Sequence, residues 1–278
     1  MSSLLFDRGV PCERAAGVWA YISPSRLNLW LKCPLAFKLR YIDGVVTPST
    51  SSLFIGKMVH AGLERFYRHR QLGLCLDVAE LLSGIDAKWG EAAADEGVQF
   101  ESGAIETTAR KQTLDLLRTY VASLPSDEPK PLAVEATVEA PLMDPITGEN
   151  LGIPLLGVMD LVLDEAAGPA ICDFKTAARS SDPLEITHEV QLTSYAWLFR
   201  SASPVSEAAI EIRSLIKTKT PKMQRHRYGA RTDQHFARLF ALVRAYLDDL
   251  DRGRFLYRPG LGCGMCDHRE SHCRAWAG

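Results

Sequence analysis

Gly157-Val158-Met159-Asp160, followed after a turn by Ile171-Cys172-Asp173-Phe174-Lys175-Thr176, sets two carboxylates and a lysine on adjacent extended segments. Residues 155–163 and 170–174 read as apolar strands, broken by a turn at Asp164-Glu165-Ala166-Ala167-Gly168-Pro169. Successive strand side chains alternate faces, so Asp173 and Lys175 share one. A hairpin here brings Asp160 beside Asp173. Carboxylates in an apolar setting are costly unless neutralised, and a divalent cation is the usual remedy. The lysine is then free to steady a phosphate or a hydroxide. The set implies a metal-dependent site that cleaves phosphodiesters.

Working outward, Ser23-Pro24 opens a helix, with serine as cap and proline in the first turn. Leu27, Trp30 and Leu31 follow at helical spacing until Cys33-Pro34 interrupts, and a second short helix spans 37–41. A polar loop covers 45–52. A long amphipathic helix is expected over 53–71, with His60 and Glu64 one turn apart on one side. Further helices are expected over 77–94 and 104–123, then a boundary at 125–131. Strands follow over 132–142, 153–164 and 170–176, with a turn at Asp144-Pro145-Ile146-Thr147-Gly148. A helix over 185–200, a strand over 208–217 and a helix over 232–250 complete the pattern. The expected fold is α/β: a mixed central sheet with flanking helices. Residues 1–22 form a tail and 23–262 a single domain with a helical insertion at 75–130. Residues 263–278 form a C-terminal cysteine cluster packed with Cys33.

The chain has 278 residues, 46% of them hydrophobic, enough for a sizeable core. No apolar run approaches the ~18 residues of a membrane span. The first residues lack a basic region followed by a long apolar core, so no secretory signal is expected and the location is cytoplasmic. A net charge of −2 does not advertise a general nucleic-acid binder, but its distribution is uneven. Residues 212–232 hold no acidic residue and seven basic ones: Arg213, Lys217, Lys219, Lys222, Arg225, Arg227 and Arg231. Such a run is often a solvated face; beside a phosphodiesterase site it is better read as a surface for a nucleic-acid backbone.

Asp160, Asp173 and Lys175 resemble the core of the PD-(D/E)xK nucleases, in their RecB-family exonuclease branch. Gly56-Lys57-Met58-Val59-His60-Ala61-Gly62-Leu63-Glu64 resembles that branch's G-x-x-x-H-x-x-L-E helix. Asp173-Phe174-Lys175-Thr176 resembles its D-x-K-T signature, and Gln191-Leu192-Thr193-Ser194-Tyr195 its Q-x-x-x-Y helix. The order and spacing hold over roughly residues 20 to 275. The resemblance implies a restriction-endonuclease-like core with one or two Mg²⁺ or Mn²⁺ ions. Its ligands would be His60, Asp160, Asp173 and the backbone carbonyl of Phe174. Lys175 would hold or help deprotonate the attacking water, and Gln191 and Tyr195 would face the scissile phosphate or the lysine. Glu64 is read as orienting the helix or His60. Glu135 and Glu139 share a strand face or nearly so, and either could reach the metals; both are left as structural.

Each residue also has a plainer reading: His60 and Tyr195 as packing residues, Asp160 as a turn residue, and Asp173 with Lys175 as a weak ion pair. What separates the readings is the occurrence of all the motifs in one order.

Seven cysteines in a cytoplasmic chain argue against a disulfide framework. Cys263-Gly264-Met265-Cys266 is a metal-grade pair followed by Cys273, and Cys33 is a candidate fourth ligand. Joining them would staple the first helix to the tail. The set resembles the iron–sulfur nucleases of the AddB and CRISPR-adaptation type, which implies a 4Fe–4S cluster. Zn²⁺ is the alternative, with His268 and His272 as further donors. Cys172 is expected in the core; Cys75 and Cys12 look incidental.

The reading favoured is a deoxyribonuclease, acting as an exonuclease on single-stranded DNA or DNA ends in repair, recombination or defence. Phe66, Tyr67 or Trp89 could stack bases, although packing is the better reading of each. A rival is a structure-specific or CRISPR spacer-processing endonuclease. A rival of another class is a non-catalytic, metal-stapled DNA-binding subunit of a helicase or defence complex. No glycine-rich phosphate loop is present, so any helicase motor must be a separate chain.

Overall fold

The structure is a computed structural model that describes residues 16–180 and 184–274. Cys12, most of the expected tail 1–22 and residues 275–278 lie outside the described residues. Five strands form one sheet in the order β1-β2-β3-β4-β5: β1 (Lys130–Met143), β2 (Asn150–Glu165), β3 (Gly168–Ala177), β4 (Ala209–Ile216) and β5 (Lys222–Gly229). Consecutive strands pair antiparallel except β3 and β4, which run parallel. A parallel neighbour needs a crossover, and α6 (Leu184–Ala202) supplies it. The result is the expected mixed sheet flanked by helices.

One face of the sheet is covered by α1 (Pro24–Lys32), α2 (Pro34–Tyr41), α6 and α7 (Asp233–Asp251). Ser23 caps α1 by accepting from the Arg26 N–H, with Pro24 in the first turn, as the sequence predicts. The other face is covered by α3 (Ser51–Gln71), α4 (Val78–Asp95) and α5 (Gly103–Ala122). The segment read as an insertion therefore supplies α4 and α5, which complete a core cluster with Val134, Leu161, Cys172 and Phe174 of the sheet.

A face switch in the first hairpin positions the site. Along β2, Ile153, Leu155 and Met159 face the α6 layer, whereas Leu161 and Leu163 face the α3 layer. Along β1, Val138, Ala140 and Leu142 face the first layer and Val134 the second. A regular strand keeps residues i and i+2 on one face. Both strands must therefore change face between these residues, at Glu135 on β1 and Asp160 on β2. Glu135 absorbs the change with φ of 46°, a left-handed conformation that a non-glycine residue adopts at a cost.

The strand missed in the sequence is β5. Lys-Met-Gln-Arg-His-Arg-Tyr-Gly carries no apolar alternation because it is an edge strand, where charged side chains guard the free backbone groups.

Candidate active site

Strand β3 delivers its motif residues to both sides of the sheet. Cys172 and Phe174 point into the α3 layer, where the Phe174 ring stacks on Tyr67 with centroids 6.0 Å apart. Asp173 and Lys175 take the opposite face, towards α6, as alternation predicts. The Lys175 ammonium lies 2.6 Å from Asp173 Oδ2. Asp173 is fully buried, and neither of its oxygens has an aligned hydrogen-bond donor, which leaves the Lys175 ammonium as the charge beside it.

Helix α3 brings His60 in from the other layer. Its Nε2 lies 3.1 Å from the Phe174 carbonyl oxygen, and its Nδ1 lies 3.7 Å from Asp160 Oδ1. Gly56, one turn earlier, explains the glycine of that motif: a Cβ there would stand 3.1 Å from Thr176 Oγ1. A side chain at that point would require Thr176 to give way by a few tenths of an ångström, so glycine suits the close approach of the helix to the end of β3. Glu64 pairs with Arg68 at 2.8 Å and lines the same cleft, so nothing ties it directly to His60.

Asp160 is anchored by the Phe174 N–H, which donates to its Oδ2 at 2.7 Å. Glu135 stands opposite it in the antiparallel register. Ligand atoms of His60, Glu135 and Asp160 all lie within 4.8 Å of one another. The sequence reading left Glu135 as structural, and its inclusion is a correction. Glu139 does not join the group. Burial and the nearby Asp160 charge push the Glu135 carboxyl up to about 7, with Glu64 adding to the rise and Arg68 opposing it. Burial also raises Asp160, as does the Asp173 charge, against the pull of His60 and Lys175. Crowded carboxylates shifted upward in this way await a positive partner.

On α6, Gln191 Nε2 donates to the Tyr195 hydroxyl at 2.7 Å, as their i, i+4 spacing allows. Tyr195 is buried, and burial followed by the Asp173 and Asp160 charges raises its phenol well above the ordinary range. Gly157 lets α6 settle against β2, since a Cβ there would meet Leu198 at 2.6 Å. His188, one turn before Gln191, is half-buried and held below the usual imidazole range by burial and the Lys175 charge. It carried no signal in the sequence.

A cleft of about 510 Å³ runs along α3 past Leu53, Gly56, His60 and Glu64, with Glu135, Lys175 and Thr176 opposite. Of the residues proposed to meet DNA, Arg213 is not at the surface. It is 1% exposed and donates to the Tyr67 and Tyr120 hydroxyls at 2.8 Å, with Glu128 and Glu211 compensating its charge. Arg225 and Arg227 pair with Glu128 and Glu165, while Lys219 and Lys222 are exposed and Lys217 half-exposed. Phe66, Tyr67 and Trp89 are all buried in the α3 layer, which removes them as stacking surfaces.

The tail after α7 returns to α1 and α2. The Leu35 N–H donates to the Leu256 carbonyl at 3.3 Å, Phe37 stacks on Phe255 at 6.4 Å, and Arg258 donates to the Leu31 carbonyl. Cys33, Cys263, Cys266 and Cys273 line one cavity of about 730 Å³, and all four are free thiols. Cys172 lies in the core and Cys75 is exposed.

One sheet covered by helices on both faces gathers carboxylates, a histidine and a lysine at its central strands, a set able to hold a cation beside a basic group. The chain belongs to the PD-(D/E)XK nuclease superfamily, whose family model matches residues 21–274. Among solved structures it is similar to a protein from Eubacterium rectale described as a candidate exonuclease, with a TM-score of 0.56 and 14% identity, covering 91% of this chain and 88% of that one. A second structure, SSO0001, aligns with a TM-score of 0.38 and 14% identity over 78% of this chain and 94% of that one, too loosely to carry weight. No protein of curated function matches. Among the described residues no helix is long and apolar enough to cross a membrane.

Proposed function

We propose that this protein is a divalent-metal-dependent DNA exonuclease acting on single strands or DNA ends. The observation that carries the reading is the meeting of His60, Glu135 and Asp160 donor atoms within 4.8 Å, beside the Asp173–Lys175 pair. The donor set fits a cation. Asp173 is buried with both oxygens lacking an aligned donor, and Asp160 and Glu135 repel each other's negative charge. Oxygen donors with one imidazole suit Mn²⁺ or Mg²⁺. His60, Glu135, Asp160, Asp173 and the Phe174 carbonyl are the residues that would hold it. A bound ion would polarise the scissile phosphate and make water a stronger nucleophile. Lys175 would orient the attacking water, and the Gln191–Tyr195 pair would present hydrogen-bonding groups to the phosphate. The order of the motifs supports the exonuclease branch, as does the likeness to a candidate exonuclease.

The test is digestion of end-labelled single-stranded DNA, duplex DNA and RNA with Mn²⁺, Mg²⁺ or EDTA, with Asp173→Ala in parallel. Metal-dependent shortening from one end, lost in the variant, is expected. Internal cuts would favour the endonuclease reading, and intact substrates with DNA still bound would favour a binding subunit.

We also infer that Cys33, Cys263, Cys266 and Cys273 hold a 4Fe–4S cluster. Their shared cavity and the contacts that fasten the tail to α1 and α2 support this. Zn²⁺ held by the same sulfurs is the alternative, and metal content decides between them.

A further inference from the structure

Lys217 occupies an unusual position for a lysine of the basic run. It follows β4 directly, and its N–H donates to the Ala177 carbonyl at the end of β3, at 2.7 Å. In the parallel register Lys175, Thr176 and Ala177 stand beside Ser214, Leu215 and Ile216. Lys175 and Lys217 therefore leave the same end of the sheet on neighbouring strands. The start of α3 lies over that end, with Gly56 against Thr176. Lys217 Nζ donates to the Ser52 hydroxyl at 2.6 Å.

Among the described residues, Lys217 has no carboxylate partner, unlike Arg225 and Arg227 of the same run. It is half-buried, and burial alone lowers its pKa, with no opposing charge to restore it. Removing an ammonium from water without an anion is unfavourable unless an anion arrives with the ligand. Ser52 adds a hydroxyl that can turn to donate, and it lies in the first turn of α3, where N–H groups have no acceptor within the helix. Ser52 and His60 are eight residues apart on α3, so this end lies about 12 Å from His60 along the helix axis. The cleft lined by His60 and Glu135 also takes in Leu53, next to Ser52 in the chain, and Thr176, next to the Ala177 whose carbonyl the Lys217 N–H meets.

We propose that Lys217 and Ser52 form a second phosphate subsite, which grips a backbone phosphate of the nucleic-acid strand at a fixed offset from the bond being cut. The proposal rests on the nuclease reading and adds to it a direction for the strand, along α3 from His60 towards Ser52. A lysine ammonium meets a phosphate as a point charge, without reading the base, so the grip is independent of sequence.

The test is binding of fluorescent single-stranded oligonucleotides in EDTA, where no cutting interferes, by anisotropy across a salt series. Lys217→Met is expected to weaken binding on the order of tenfold. It should also flatten the plot of log affinity against log salt by about 0.7, the value for one phosphate contact on a single strand. Ser52→Ala should weaken binding less, and Lys217→Arg should retain most of it. A neutral methylphosphonate linkage, moved one position at a time, should weaken wild-type binding at one offset and leave Lys217→Met indifferent there. Thermal melting shows whether each variant is folded. Folded Lys217→Met with wild-type affinity and salt slope would overturn the subsite while leaving the nuclease reading intact. Wild-type protein that binds none of the oligonucleotides would overturn both.

Discussion

Glu135 stands across from Asp160 where both strands of the first hairpin change face, and it does so with φ of 46°. The left-handed backbone costs on the order of 1 kcal/mol. It brings a second carboxylate onto Asp160 and His60, where repulsion is strongest without a cation.

This gives Glu135→Gln two opposite consequences. The folded carboxyl titrates near 7, above its ordinary 4.5, so its contribution to stability is fully present below 4.5 and is lost as pH rises through 7. In the metal-free wild type, stability should therefore fall between pH 5 and 8 through this group. Glu135→Gln removes that loss and should melt higher than wild type at pH 8, by on the order of 1 kcal/mol after solvent screening, and level with it near pH 5. Cleavage with Mn²⁺ should fall at least a hundredfold. Melting curves in EDTA at the two pH values check the first claim, and an equal gap at both would refute it.

Lys175→Met separates the lysine from the metal. The ammonium touches Asp173 but lies outside the group of His60, Glu135 and Asp160 donors. The variant should still gain melting temperature on addition of Mn²⁺, while its cleavage rate falls by about 10²–10⁴, the range for a group that moves or positions a proton. Loss of the Mn²⁺-induced rise would make the lysine a structural support of the ligands instead.

Much of this site was legible in the sequence because strands and helices impose simple periods. Alternation put Asp173 and Lys175 on one face, and the helical turn put Gln191 within reach of Tyr195. Glu135 was left as structural because the sequence did not separate it from Glu139, four residues on and on the same strand face by alternation. The turn at 144–148 was visible, but a hairpin continued regularly from Met143 opposite Asn150 would set Glu135 opposite Val158; the register shift between Pro141 and Met143 carries it to Asp160, and that irregularity left no signal in the sequence. Arg213 misled for a different reason. A basic run was taken as a surface, but β4 is a central strand buried on both faces, and Glu128 comes from a loop 85 residues away in sequence to neutralise it. Long-range compensation of this kind leaves no local signal.

Arg213→Met tests that correction. The guanidinium is enclosed by Glu128, Glu211, Tyr67 and Tyr120. Removing one partner of a buried charge network leaves the others unpaired and typically costs about 3–5 kcal/mol. Urea unfolding should show a loss of that size. DNA affinity, measured under conditions where the variant remains folded, should match wild type. A stable variant with weakened DNA binding would restore Arg213 to the interface.

The cysteine cavity yields the last prediction. The tail reaches α1 and α2 through few contacts, with Arg258 on the Leu31 carbonyl and the Leu35 N–H on Leu256 among them. The 3-10 turn Leu261–Met265 buries no residue, and Leu261 and Met265 are exposed. A metal group held by the four cysteines would reinforce so weak an apolar anchor. A shared cluster would close a loop of more than two hundred residues and remove much of the unfolded chain's freedom. Protein purified without oxygen should be brown, with about four iron atoms per chain, and Cys273→Ser should bleach it and lower its melting temperature. The Mn²⁺-induced rise in melting temperature should survive, because its donors lie on α3, β1, β2 and β3. A colourless protein holding one zinc would replace the cluster with a mononuclear site. A variant that melts like wild type would show that the tail is not held by a metal at all.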